Sequence, residues 1–114
     1  MNNKIKGRGG EARAAKFLKK KKYKILETNF TAPGGEIDII ALDKNIIVFA
    51  EVKTRYSDEF GLPREAVTKE KQRHIARTAL AYLQMNKLTG TPVRFDVIEV
   101  TDGGVTHIEN AFEV

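Results

Sequence analysis

The sequence has no cysteine, which excludes both a disulfide framework and a thiolate metal site. Serine occurs once, as Ser57 in Tyr56-Ser57-Asp58-Glu59, without the flanking glycines of a nucleophile elbow. His74 and His107 are the only imidazoles, so a nucleophile–histidine–acid triad lacks its parts. They also lack the H-x-x-x-H spacing of a helical zinc site. No apolar run exceeds Ile46-Ile47-Val48-Phe49-Ala50, far short of the ~20 residues a membrane span needs. The basic N-terminus has no apolar stretch behind it, unlike a secretory signal, so a soluble cytoplasmic protein is expected. Gly7-Arg8-Gly9-Gly10 follows no strand and lacks the Gly-Lys-Ser/Thr ending of a phosphate loop.

What is plentiful is charge: 31% of the 114 residues are Asp, Glu, Lys or Arg, and 41% are hydrophobic. That length and composition predict one folded domain over residues 1–114 with a real core. Residues 1–24 hold ten basic residues and the single acid Glu11, a net +9, whereas residues 25–114 carry a net −4. The body is therefore mildly acidic, and the overall +5 does not by itself point to nucleic acid.

Hydrophobic periodicity predicts a helix over 9–22, strands over 23–30, 36–42 and 46–55, a helix from the capping Thr68 to about Met85, and strands over 93–100 and 105–109. Turns are expected at Thr31-Ala32-Pro33-Gly34-Gly35, at Asp43-Lys44-Asn45 and at Thr101-Asp102-Gly103-Gly104. The order α-β-β-β-α-β-β describes an α/β (α+β) fold in which helices flank one mixed, five-stranded sheet.

Two polar residues interrupt the apolar helix stripes. Glu11 precedes Ala14, Ala15 and Leu18 by three, four and seven residues, which places it inside the stripe. Gln72 stands likewise before Ile75, Ala76, Ala79 and Leu83. A hydrogen-bonded core residue would account for either, but a carboxylate is rarely buried without a partner.

The hairpin of the second and third strands carries the sharper clue. Glu51 and Lys53 share a strand face with Ile47 and Phe49. If Lys44-Asn45 is a two-residue loop, Asp38 falls opposite Glu51 and Glu36 opposite Lys53; a four-residue loop keeps this register and a three-residue loop breaks it. Opposed carboxylates on a half-buried sheet repel, and a divalent cation between them removes the repulsion. All-oxygen ligation suits Mg²⁺ or Mn²⁺, and a lysine beside the pair can position water or stabilise phosphoryl charge. An ordinary hairpin with a surface ion-pair ladder is the alternative.

Asp38 followed by Glu51-x-Lys53 resembles the PD-(D/E)XK nuclease superfamily. More closely, Gly7-x-x-Gly10-Glu11-x-x-Ala14, Gly35-Glu36-Ile37-Asp38-Ile39-Ile40-Ala41, Phe49-Ala50-Glu51-Val52-Lys53-Thr54-Arg55 and Glu65-Ala66-Val67-Thr68-x-x-Lys71-Gln72 resemble the YraN-type bacterial proteins, which are predicted endonucleases similar to archaeal Holliday-junction resolvases. The resemblance implies a restriction-endonuclease-like core and DNA as partner. It also implies metal binding by Asp38 and Glu51, hydrolytic assistance by Lys53, a metal or water contact from Glu11, and Gln72 beside the site. Ile37 replaces the proline of the superfamily's name.

Lys69, Arg73 and Arg77 repeat every four residues along the flank of the Gln72 stripe and, with Arg8 and Arg55, are expected to meet a phosphate backbone. Tyr56 and Phe60 are placed to stack on a splayed base or to pack over the hairpin. Arg13, Lys16 and Lys20 lie on the opposite side of the first helix from Glu11, where a solvated face is expected. His74 and His107 read as surface or interface residues. The expected activity is metal-dependent endonucleolytic hydrolysis of branched or structured DNA. The alternatives are a non-catalytic nucleic-acid- or partner-binding module and a structural adaptor. Two-fold substrates suit paired sites, which leaves a homodimer open.

Overall fold

The structure is a computed structural model that describes residues 3–55 and 67–113, with side chains from Gly9 onward in the first helix. Its elements are α1 (Asn3–Lys20), β1 (Lys24–Ala32), β2 (Gly35–Asp43), β3 (Ile46–Thr54), α2 (Lys69–Met85), β4 (Val93–Thr101) and β5 (Gly104–Ile108). The five strands form one mixed sheet in the order β1-β2-β3-β4-β5. Only β3 and β4 run parallel; the other neighbours are antiparallel. This is the α+β architecture and element order that periodicity predicts. No helix among the described residues is long and apolar enough to cross a membrane.

The two helices cover opposite faces of the sheet. Ala14 and Leu18 of α1 pack with Ile39, Ala41, Val48, Ala50, Ile98 and Val100. Ile75, Ala79 and Tyr82 of α2 pack with Ile40, Ile47, Phe49, Phe95 and Val97. Being covered on both sides, β3 reads as a nearly continuous apolar run rather than an alternating one.

The helix ends explain where sequence boundaries slipped. The sequence carries α1 two residues too far, to 22, yet the helix stops at Lys20 because Lys22 turns left-handed at φ 73°. Tyr23 N then donates to Leu18 O at 3.0 Å and Lys22 N to Lys19 O at 3.0 Å, the paired bonds of a Schellman ending. Lys87 (φ 56°) closes α2 in the same way, with Leu88 N donating to Leu83 O at 2.8 Å. A lysine at a position that glycine usually fills gives no sequence signal. At its start α1 runs from Asn3, six residues before the expected beginning at Gly9. Thr68 caps α2 as expected, its hydroxyl accepting from Lys71 N at 3.1 Å.

Turn chemistry sets the register. Asp43 pairs with Ile46 across Lys44-Asn45, so the two-residue loop and its pairing hold. Close approach matters at Gly10, which is buried against the end of β3: a Cβ there would collide with Thr54 Oγ1. That contact brings the middle of α1, and with it Glu11, onto the sheet end.

Candidate metal centre

Asp38 sits where the sheet opens. The β2–β3 ladder ends at Ile39↔Ala50, and the next residues in that register are Asp38 and Glu51. Asp38 Oδ2 accepts from Val52 N at 2.8 Å, replacing the missing ladder bond. Side-chain alternation breaks here: Ile39 and Ala41 face α1, whereas both Ile37 and Ile40 join the α2 side. Asp38 thus lies at the junction of the two faces, within reach of groups from both.

On one side, Glu11, Glu36 and Asp38 each offer a carboxylate oxygen, and these oxygens lie within 4.8 Å of one another. On the other side, the Glu51 carboxyl hydrogen-bonds Asp38. Glu51 is 7% exposed, and its Oε2 is buried without a hydrogen bond. Lys71 Nζ lies 3.3 Å from that oxygen, close enough for an ion pair but out of hydrogen-bond alignment.

The electrostatics follow from this crowding. Burial, then the hydrogen bond and negative charge of Glu51, push the Asp38 carboxyl up to about 8. Glu11 is raised too, first by desolvation and then by the charge of Asp38. Carboxylates that resist ionisation in one place want a cation, and an orphaned buried oxygen wants a ligand. The donor set is all carboxylate oxygen, which suits a hard divalent cation such as Mg²⁺ or Mn²⁺. Glu11, Glu36 and Asp38 would hold it, with Glu51 touching Asp38 from the other side.

The sequence-based site is brought together in part. Glu11 and Asp38 come together with Glu36, whereas Glu51 meets Asp38 alone, from its other side. Lys53 is half-buried on the same strand and pairs with Glu99 in the β3–β4 ladder. It does not face Glu36, because the β2–β3 ladder ends first and Glu36 pairs with Thr31 on β1. Gln72 spends its amide on the Val67 carbonyl at 3.2 Å, and its neighbour Lys71 makes the contact with Glu51. Sequence reasoning gave neither Lys71 nor Glu36 a place in the metal site. Glu36 had a signal in its i, i+2 spacing from Asp38, whereas Lys71 had none, since solvated lysines are common in first turns.

Of the basic residues, Lys69, Arg73 and Arg77 are exposed along α2. Arg55 is engaged by Glu99 at 3.5 Å. The Arg8 side chain, Tyr56 and Phe60 lie outside the described residues. Arg13, Lys16 and Lys20 border a depression of about 270 Å³ floored by Phe17 and Val105, on the far side of α1 from Glu11 as helix phase predicts.

A second polar cluster lies on β4 and β5, where Asp96 pairs with Ala50 beside Glu51, and it corrects the reading of His107 as a surface residue. The His107 side chain is 2% exposed, and its Nε2 lies 2.6 Å from Oδ2 of the fully buried Asp96. Arg94 donates to both Asp96 oxygens at 2.9 Å, and Asn110 N donates to Oδ1 at 2.9 Å. Burial alone would raise the Asp96 carboxyl, but the bonds from His107 and Arg94 bring it below its ordinary range. Every oxygen lone pair is spoken for, which marks a structural network and not a ligand site.

Comparison with known proteins places the chain. The model of the uncharacterised protein family UPF0102 matches residues 10–100. The chain belongs to the UPF0102 family. A UPF0102 protein of Geobacter metallireducens is 48% identical over 118 residues, covering 100% of this chain and 97% of the relative. One from Thermodesulfovibrio yellowstonii is 53% identical over 106 residues, covering 93% and 94%. A third, from Caldanaerobacter subterraneus, is 50% identical over 119 residues and covers 98% of each. The UPF0102 match begins at Gly10 and runs through Glu11, Asp38, Glu51 and Lys53, so it spans the whole acidic centre.

Proposed function

We propose that this UPF0102 protein is a divalent-cation-dependent endonuclease of the PD-(D/E)XK type that hydrolyses DNA phosphodiester bonds, preferring branched or structured DNA. The observation that carries the reading is Asp38, shared between Glu51 on one face and Glu11 with Glu36 on the other, beside a buried Glu51 oxygen that lacks a hydrogen bond. A bound Mg²⁺ or Mn²⁺ would supply Lewis-acid stabilisation of phosphoryl charge and a more acidic water. The chain's own contribution is orientation. Val52 N fixes the Asp38 carboxylate, and Lys71 balances Glu51. Lys53, two residues along β3, supplies a cation for the attacking water or for charge developing on phosphate oxygen. The exposed cations of α2, Lys69, Arg73 and Arg77, would guide the backbone toward this end of the sheet.

The test is a cleavage panel of single-stranded, duplex, flap and four-way DNA with Mg²⁺ and with Mn²⁺. Cleavage should occur with wild type and vanish in the double variant Asp38→Asn, Glu51→Gln. Binding without cleavage on every substrate would favour a non-catalytic nucleic-acid module, and absence of both would leave neither standing.

A further inference from the structure

Asn29 has a left-handed backbone, φ 52°, in the middle of an edge strand. Non-glycine residues rarely adopt this conformation inside a strand, and where they do the strain marks a site held by something else. The pairing of β1 with β2 confirms the local break. Thr28↔Ile39 and Phe30↔Ile37 are paired, and the Asn29–Asp38 step between them is missing. Phe30 consequently turns to the α2 side, against Tyr82 at 5.2 Å between ring centroids. The Asn29 side chain instead lies beside α1, within reach of Glu11.

Asn29 and Glu11 also border a shared depression of about 260 Å³ with Ala12, Ala15 and Thr28, so the amide lies on the open side of the acidic cluster.

We infer that Asn29 is a positioning residue: the left-handed turn in β1 exists to deliver its amide to Glu11 and hold that carboxylate toward Asp38. The inference rests on the reading of this centre as a cation site. Asparagine suits the role because it tolerates a positive φ better than other side chains and brings a neutral donor. A charged donor such as lysine would compete with the cation.

Asn29→Gly separates the two things the residue does. Glycine adopts φ 52° without strain, so the melting temperature in chelator should be unchanged or higher. The amide is removed, so the Mn²⁺ dissociation constant, read by calorimetry and by electron paramagnetic resonance of free Mn²⁺, should rise about tenfold, as for other groups that orient a metal ligand. In a Glu11→Gln background the same change should alter Mn²⁺ affinity less than about twofold, because the two residues act as a unit. Asn29→Gly binding Mn²⁺ like wild type, or an equal weakening with Gln at position 11, overturns the inference and leaves the cation site standing. In the metal-free protein the Asn29 side-chain amide resonance should shift when Glu11 becomes Gln. A wild type that takes up no Mn²⁺ removes the cation reading, and an amide resonance indifferent to Glu11→Gln removes the Asn29 contact independently.

Discussion

Asp38 should make the metal-free protein less stable as pH rises, and Asp38→Asn should abolish that dependence. Its carboxyl is 3.8 when unperturbed and about 8 in the fold. Between those values the folded state holds a proton that the unfolded state has released, so folding weakens as pH increases through this window. One proton corresponds to at most about 1.4 kcal/mol per pH unit. We expect a total of about 2–4 kcal/mol by pH 7. Asparagine keeps an acceptor for Val52 N, which bonds Oδ2 at 2.8 Å, and gains a donor for Glu51. The variant should therefore exceed wild type by about 2 kcal/mol at pH 7 in chelator, roughly 10 °C in melting temperature. Thermal and urea unfolding from pH 5 to 8.5, with and without Mg²⁺, is the assay. All other ionisable groups are common to both proteins, so the difference between the two curves isolates Asp38. Mg²⁺ at a hundredfold its dissociation constant should raise wild type by about 2.7 kcal/mol and leave the variant unmoved. Parallel pH curves, or a variant less stable than wild type in chelator at pH 7, would refute the reasoning.

Gly10→Ala forces a Cβ against Thr54 Oγ1 and should destabilise by about 1–3 kcal/mol; Thr54→Ala in the same chain should recover at least half, and strict additivity in melting experiments would show that the contact is not the cause. Asp96→Ala leaves Arg94 and His107 without their shared carboxylate and should destabilise by about 3–5 kcal/mol; Mn²⁺ affinity, set by carboxylates outside this network, should change less than about twofold, and a larger change would link the two clusters. Replacing Lys69, Arg73 and Arg77 with Gln should flatten the salt dependence of DNA binding by about 0.9 in log–log slope for each phosphate no longer neutralised. A slope that responds to Arg13, Lys16 and Lys20 instead would move the DNA path to the other face of α1.

What the sequence determined by itself is whatever has a short-range cause. Period-two and period-3.6 patterns place all seven elements, Thr68 announces its cap, and the Lys44-Asn45 loop fixes the hairpin register that aims Asp38 at Glu51. Glu11 is legible because a carboxylate in an apolar stripe contradicts its surroundings. Asp96 carried the same contradiction, alone among Phe95, Val97 and Ile98, but its meaning depends on Arg94, His107 and Asn110 arriving from three chain positions. Only the tertiary structure decides what happens where the ladder ends. There the two strands separate and alternation fails at Asp38. Glu36, which strand counting assigns to Lys53, joins Glu11 instead. Lys71 rather than Gln72 reaches Glu51 because the Gln72 amide is held by the Val67 carbonyl. Counting residues along a strand assumes a continuous ladder, and a site built where the ladder stops is set by how helices, sheet twist and an irregular Asn29 close around the gap.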